Sequence, residues 1–234
     1  MMKTIGLALL LLSTQAPAQT PAKPPVGQGE GGDWAFLTRY RTDNAALPAD
    51  DQRIVFMGDS ITQGWANQAT FKSTSHYVGR GIAGQDSQQM LVRFRSDVIK
   101  LKPAVVHIMA GTNDIANKNG RETDAEIQGN LSTMVELAQL HGIKVVLATV
   151  PPAADFPWNR GLAPTARIKS MNEWIKGYAA EKKLTLVDYW PVLALPDGSM
   201  KPEYSGDGVH PNAAGYAAMQ PLAKAAIEKA LSAR

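Results

Sequence analysis

A serine follows a short apolar run, and an aspartate and a histidine stand close together near the C-terminus. The serine is Ser60, in the sequence Gly58-Asp59-Ser60 after the apolar residues 54–57. The aspartate and histidine are Asp207 and His210, three residues apart. A serine hydroxyl is a weak nucleophile that needs a base, and the base needs a group that orients it. The three residues therefore predict a serine hydrolase with Ser60 as nucleophile, His210 as base and Asp207 as the partner of His210.

Of the four histidines, His210 alone has a carboxylate at a short fixed spacing in a loop. His107 lies inside an apolar strand, His141 ends a helical pattern, and His76 has no acidic residue near it in sequence. The Asp-x-x-His tetrapeptide by itself is typical of surface turns, so on its own it does not indicate a catalytic site. A metal site would need a third ligand, and no spacing such as His-Glu-x-x-His supplies one. No metal or other cofactor is therefore expected.

The predicted reaction also requires donors for the negative charge that develops on the attacked carbonyl oxygen. The backbone N–H of Ser60 is one candidate. Gly84 offers a backbone N–H with no side chain in the way, and Asn113 offers a side-chain amide. Taken singly, Gly84 and Asn113 are equally typical of ordinary turns. Together with Ser60 they form the predicted oxyanion hole.

Apolar runs alternate with helical patterns, which indicates an α/β fold with a parallel sheet and helices on both faces. Trp34, Leu37 and Tyr40 recur at helical spacing and predict a first helix, and Pro221 is expected to kink or divide the last one. Strands are predicted at 53–57, 75–79, 104–109, 143–150 and 184–187, and further helices at 124–141, 166–182 and 212–231. Ligands of such sheets bind at the carboxyl ends of the strands, and Ser60, Gly84 and Asn113 each follow a predicted strand.

The first residues predict export. A positive start at Lys3, an apolar segment over residues 5–12 and Ala16-Pro17-Ala18 have the arrangement of a signal peptide. Cleavage is expected near Ala18, which would leave a periplasmic or secreted protein. The apolar segment is too short for a permanent membrane span. Residues 19–32 are rich in Pro and Gly and predict a flexible leader, and residues 33–234 predict one catalytic domain.

Composition and local pattern argue against several other classes. The 234 residues suit one substantial domain, and the absence of Cys excludes disulfides and thiol nucleophiles. A net charge of +3 without a Lys or Arg run does not indicate nucleic-acid binding. The α/β-hydrolase elbow Gly-x-Ser-x-Gly is not met, because Thr62 stands at the second glycine position. A flavodoxin-like phosphate loop would leave Asp207 and His210 unexplained.

Four separated blocks, in this order, resemble the SGNH hydrolases, the GDSL-type esterase superfamily, over about residues 50–230. The blocks are Gly58-Asp59-Ser60-Ile61-Thr62, Gly81-Ile82-Ala83-Gly84-Gln85, Gly111-Thr112-Asn113-Asp114 and Asp207-Gly208-Val209-His210-Pro211. The resemblance implies a flavodoxin-like three-layer α/β/α sandwich around a five-stranded parallel sheet. It also implies the catalytic and oxyanion roles assigned above. Gln85 and Gly79 depart from residues common in the family, and both are expected to alter the loop that shapes the acyl pocket.

The sequence indicates the reaction more closely than it indicates the substrate. The four blocks resemble those of bacterial acetylesterases that act on sugars. The expected substrate is therefore a small-molecule or glycan ester from which the enzyme removes an acetyl group. Trp65, Phe156 and Trp158 are candidates for stacking on sugar rings, although packing within loops is the simpler explanation. A lysophospholipase or thioesterase of the same fold, and a non-catalytic carbohydrate-binding relative, remain open alternatives. No nucleic acid and no stable membrane insertion are expected, and the sequence does not indicate an oligomeric state.

Overall fold

The structure is a computed structural model that describes residues 32–233. The signal peptide predicted for residues 1–18, with cleavage near Ala18, lies outside the described residues. The same holds for the leader predicted for residues 19–32, except for its last residue. Both stay predictions. Within the described range, no helix combines the length and the apolar character that crossing a membrane requires.

Within residues 32–233, one parallel sheet lies at the centre of the fold. Its strands are β1 (Ile54–Gly58), β2 (Tyr77–Gly81), β3 (Val105–Met109), β4 (Lys144–Ala148) and β5 (Thr185–Val187). Their order across the sheet is β2-β1-β3-β4-β5, and every neighbouring pair is parallel. Gly58 pairs with Gly81 on one side and with Met109 on the other. The loops that follow β1, β2 and β3 therefore leave the sheet at the same level, on either side of the topological switch point where ligands bind in such folds.

Helices cover both faces of this sheet. They are α1 (Arg41–Ala46), α2 (Ser60–Ala66), α3 (Ala69–Lys72), α4 (Ser87–Asp97), α5 (Thr112–Ile115), α6 (Asp124–Leu140), α7 (Thr165–Glu181), α8 (Trp190–Leu193) and α9 (Ala213–Ser232). Alternate strand residues point to opposite faces, as the pleat requires. Val55 and Met57 pack in the core under α4, α6 and α7, whereas Ile54 and Phe56 pack in the core under α2 and α9. The predicted three-layer α/β/α sandwich with a five-stranded parallel sheet is thereby confirmed.

Three predicted elements need correction. The helix expected around Trp34, Leu37 and Tyr40 is a series of turns, and α1 begins only at Arg41. Phe36 has a φ of 56°, a left-handed conformation that a right-handed helix cannot include. The strand expected at 75–79 lies two residues later, because His76 has a φ of 75° and β2 begins after it.

Pro221 does not divide the last helix, which runs unbroken from Ala213 to Ser232. A proline inside a helix removes a hydrogen bond to the carbonyl four residues earlier. That carbonyl belongs to Ala217, and both Ala217 and Pro221 are exposed. Water can therefore satisfy the carbonyl, and the helix continues beyond the proline.

Candidate active site

Ser60 stands at the junction of β1 and α2. The side chain of Asp59 caps α2 by accepting a hydrogen bond from the backbone N–H of Ile61. Gly58 is required by the tight packing of this junction. A Cβ at Gly58 would lie 2.1 Å from the Thr62 hydroxyl oxygen and 2.8 Å from the Met109 carbonyl oxygen. The turn therefore delivers the Ser60 hydroxyl to the carboxyl edge of the sheet.

The structure brings Ser60, His210 and Asp207 into one hydrogen-bonded row, although 150 residues separate Ser60 from His210. Ser60 Oγ lies 2.9 Å from His210 Nε2, and His210 Nδ1 lies 2.6 Å from Asp207 Oδ2. In this arrangement the imidazole can accept the serine proton at Nε2 while Nδ1–H donates to the carboxylate. The row has the order that nucleophilic catalysis by serine requires.

The second oxygen of Asp207 is held by its own loop. Oδ1 accepts hydrogen bonds from the backbone N–H groups of Val209, at 2.9 Å, and His210, at 2.8 Å, and from the Ser205 hydroxyl. Burial alone would raise the pKa of Asp207, but the hydrogen bonds from His210 and Val209 outweigh burial and lower the pKa to about 2. Asp207 is therefore an ionised acceptor throughout the neutral range.

This loop is anchored at both ends. Val209 is buried in the hydrophobic core, and Gly208 has a φ of 78° that places the turn between the acid and the base. Asn212 then caps α9 by accepting hydrogen bonds from the backbone N–H groups of Ala214 and Gly215. The imidazole consequently projects from a fixed loop, which favours a preorganised base.

The predicted oxyanion donors lie in the same cleft. Gly84 has a φ of 80°, which favours glycine, and its backbone N–H donates to no acceptor among the described residues. The Asn113 amide donates one N–H to the carbonyl oxygen of Gln85 at 2.9 Å, which leaves its second N–H for a ligand. The Ser60 N–H is the first of α2 and has no acceptor within the helix. Three N–H groups that have no acceptor among the described residues therefore lie at the same cleft.

Gln85 is a buried residue, and its expected effect on the loop that shapes the acyl pocket stays a prediction. Its side chain is fully buried, donates to the Ala35 carbonyl and accepts from Arg93 Nε. Arg93 is also fully buried, and its Nη2 donates to the Gly58 carbonyl at 3.0 Å. Sequence reasoning missed this guanidinium, which links the residue after Gly84 to the strand end before Ser60. Its charge is balanced by Asp97, 3.2 Å from Nη1.

Gly79 does not line the cleft, and its expected effect on the loop that shapes the acyl pocket also stays a prediction. It lies within β2, where a Cβ would come 2.4 Å from the Ala66 Cβ. The absence of a side chain at Gly79 therefore lets α2 pack close to the sheet. Gly79 therefore affects the site indirectly, because it allows the close packing of α2, the helix that begins with Ser60.

Two buried carboxyl groups support the loops around the site. Burial raises the pKa of Asp59 to about 6, although the Ile61 N–H and the nearby His210 oppose the shift. Asp114, from the third sequence block, accepts hydrogen bonds from the Ser87 backbone N–H and hydroxyl, and burial raises its pKa as well. Asp114 thus ties the loop of Asn113 to the start of α4, which follows the loop of Gly84.

The cleft has a volume of about 180 Å³ and is lined by Ser60, Ala83, Gly84, Asn113, Lys118, Trp158 and His210. The Trp158 ring lies 5.7 Å from the His210 ring, centre to centre. Of the three aromatic residues singled out as sugar contacts, the structure brings Trp158 alone to the cleft. Sequence reasoning missed Lys118, because its type and position carry no motif.

The expectation for Trp65 and Phe156 is wrong in this structure. Trp65 is fully buried, packs against Phe56 with ring centres 5.6 Å apart, and donates its indole N–H to Gln220. Phe156 is also fully buried and lies behind Trp158, with ring centres 5.3 Å apart. Both rings are therefore core residues, and Phe156 acts at most as a support for Trp158.

The other three histidines lie away from the row. His107 is buried and hydrogen-bonds Tyr189, and burial lowers its pKa to about 3, so it is a neutral core residue. His76 pairs with Asp50 at 3.0 Å, and His141 caps α6 at its C-terminal end. Among residues 32–233, no group of three or more His, Asp and Glu side chains is arranged to hold a metal ion.

Comparison with known proteins links this geometry to a family. Residues 56–218 match the model of the GDSL-like lipase/acylhydrolase family. A GDSL-like lipase from Bacteroides thetaiotaomicron has a similar structure, with a TM-score of 0.81 and 46% sequence identity over 84% of this chain and 98% of that chain. The matched region contains all five residues of the predicted catalytic row and oxyanion hole.

More distant relatives include proteins described as esterases. Esterase TesA of Pseudomonas aeruginosa is 27% identical over 181 residues, which cover 75% of this chain and 84% of TesA. An acetylxylan esterase from Geobacillus stearothermophilus shares the fold, with a TM-score of 0.58 and 19% identity over 77% of this chain and 96% of that chain. At this identity the acetylxylan esterase is informative about the fold alone.

Proposed function

Because the chain belongs to the GDSL-like lipase/acylhydrolase family, we propose that it hydrolyses small-acyl esters, chiefly acetyl esters of carbohydrates, through Ser60, His210 and Asp207. Membership of the family and the relationship to esterases make the protein an esterase or acylhydrolase. The acyl group, the carbohydrate and the roles of the three residues are the substance of the proposal. The predicted signal peptide would place the reaction outside the cytoplasm.

The single observation that carries the proposed mechanism is the row from Ser60 Oγ to Asp207 Oδ2 at the edge of the cleft. His210 Nε2 takes the proton of Ser60 Oγ as the oxygen attacks the ester carbonyl, and a C–O bond forms. The Ser60 N–H, the Gly84 N–H and the Asn113 amide bind the resulting oxyanion. The intermediate collapses, and the alcohol leaves with the proton from His210. Water then cleaves the acyl-enzyme by the same steps, which releases the acid and restores Ser60.

The preference for a small acyl group rests on the size of the cleft. Its volume of about 180 Å³ must hold the reacting ester, so little room is left for a long acyl chain. Trp158 offers an aromatic surface beside His210 that suits a sugar ring.

The acyl preference is tested by comparing p-nitrophenyl acetate, butyrate and octanoate, together with acetate release from acetylated xylan. We expect kcat/KM to fall by at least about tenfold from acetate to octanoate, because most of the added methylenes would extend beyond the small cleft into water. Equal or higher kcat/KM on octanoate would overturn the small-acyl preference and favour the lysophospholipase or thioesterase alternative. Ser60→Ala protein measures the uncatalysed background.

The role of Asn113 gives a separate prediction. Asn113→Ala removes one oxyanion donor and should lower kcat for p-nitrophenyl acetate by about 10²- to 10³-fold, with a much smaller change in KM. Asn113→Asp should be at least as impaired, since a carboxylate does not donate a hydrogen bond and repels the oxyanion. Steady-state kinetics on both variants, with the exposed Asn67→Ala as matched control, measure the effect. A change in KM alone would assign Asn113 to ground-state binding instead.

A further inference from the structure

Lys118 lines the cleft with Ser60 and Trp158, yet the proposed mechanism gives it no role. Its Nζ lies 5.4 Å from the centre of the Trp158 ring. Within residues 32–233, this ammonium group has no carboxylate in ion-pair range and no hydrogen-bond acceptor. Among the described side chains that line the cleft, Lys118 therefore carries an ammonium group whose neighbour is the Trp158 ring and not an anion.

Hydrogen bonds from Lys118 and from the next residue tie this part of the loop to the oxyanion hole. The Lys118 backbone N–H donates to the Asn113 carbonyl at 2.9 Å, and the Asn119 side-chain amide donates to the Gly84 carbonyl at 3.0 Å. Asn119 also donates to Asp86 at 2.9 Å, which fixes it to the start of α4. The base of the Lys118 side chain is consequently held at a defined distance from the oxyanion donors, although the chain is in a loop.

Other charged groups near the cleft have partners of their own. Asp207 is engaged by His210, and Asp59 is buried beneath the nucleophile, where it caps α2. Neither of these carboxylates lines the cleft. An anionic group on the ester substrate could approach the ammonium of Lys118 without meeting an acidic side chain of the cleft lining. A charge-assisted hydrogen bond of this kind is stronger than one between neutral groups.

Building on the proposed function, we infer that Lys118 makes the enzyme selective for acyl esters that carry an anionic group beside the scissile ester. A carboxylate or phosphate on the acetylated sugar is the chemistry that fits. Trp158 would bind the face of the ring that bears this group, and Lys118 would bind the group itself. Both the carboxylate and the phosphate present negatively charged oxygen atoms that can accept a hydrogen bond from Lys118 Nζ.

The test compares matched aryl acetates that differ in charge. The probes are 3-acetoxybenzoate, its neutral methyl ester, and 3-acetoxyphenyl phosphate. Their intrinsic reactivities differ, so the readout is how the anionic-to-neutral ratio of kcat/KM changes between protein variants. Lys118→Gln should lower this ratio by about five- to tenfold, Lys118→Arg should retain most of it, and added salt should lower it in the wild type. Lys100→Gln, an exposed lysine at the opposite end of the sheet, should leave the ratio unchanged.

The outcomes separate the inference from the proposed function. An equal loss on anionic and neutral esters in Lys118→Gln, or an unchanged ratio, would overturn the selectivity and leave the esterase assignment intact. No hydrolysis of any acetate by the wild type would overturn both. A drop confined to the phosphate or to the carboxylate probe supports the inference and identifies which anion the cleft prefers.

Discussion

Replacing Ser60 with alanine should lower kcat for p-nitrophenyl acetate by about 10⁵-fold or more while the protein stays folded. The hydroxyl is the proposed nucleophile, and neither the imidazole nor the oxyanion donors can replace it. Folding should be unaffected, since the hydrogen bond of Ser60 Oγ goes to the partly exposed His210 and not to the core. Circular dichroism and thermal unfolding check the fold, and steady-state kinetics check the rate.

Covalent labelling gives the same prediction an independent readout. A fluorescent alkyl phosphonate should label the wild type in a one-to-one ratio and should not label Ser60→Ala. Ser75→Ala, an exposed serine in the loop before β2, serves as the matched control and should be labelled like the wild type. Undiminished hydrolysis by Ser60→Ala would exclude Ser60 as the nucleophile. Absence of labelling in folded wild-type protein would favour a non-catalytic relative of the esterases.

Strands and helices with a regular pattern of apolar residues could be predicted from the sequence. Strands β1, β3 and β4 are short apolar runs, of which β4 is followed by Pro151-Pro152, and α6 carries a regular apolar stripe. Sequence reasoning missed helix α4, because its buried residues include Gln89, Arg93 and Asp97. Arg93 pairs with Asp97 inside the protein, and Gln89 donates to the Trp34 carbonyl. A pattern of hydrophobic residues does not reveal a helix whose buried face is polar.

The residues of the candidate site also divide into those that the sequence could predict and those that it could not. Residue type and spacing were sufficient to predict that Ser60, Asp207 and His210 lie together, and the structure places them in one hydrogen-bonded row. The aromatic contacts could not be predicted in this way. Trp65 and Trp158 have similar chemistry, and the distinction between them is that α2 turns Trp65 into the core, whereas Trp158 stands beside His210. Lys118 likewise becomes notable only when the fold places it in the cleft.

Asp207→Asn should lower kcat by about 10⁴-fold, the second largest effect expected, although the change replaces one oxygen with nitrogen. The reason lies in how the loop holds this side chain. Oδ1 faces the backbone N–H groups of Val209 and His210, both of which need an acceptor. The amide oxygen of the introduced asparagine must therefore take the Oδ1 position, and its NH₂ group must face His210 Nδ1.

An NH₂ group in that position reverses the tautomer of His210. Nδ1 has to accept a hydrogen bond, so the imidazole proton moves to Nε2 and points at Ser60 Oγ. The base then has no lone pair with which to take the serine proton, and the rate falls while KM, which does not depend on Asp207, changes little. Phosphonate labelling of Ser60 should slow in parallel. Asp197→Asn is the matched control, because Asp197 also accepts from a backbone N–H two residues later, that of Ser199, but orients no histidine. A kcat for Asp207→Asn within tenfold of the wild type would show that the carboxylate does not orient the base.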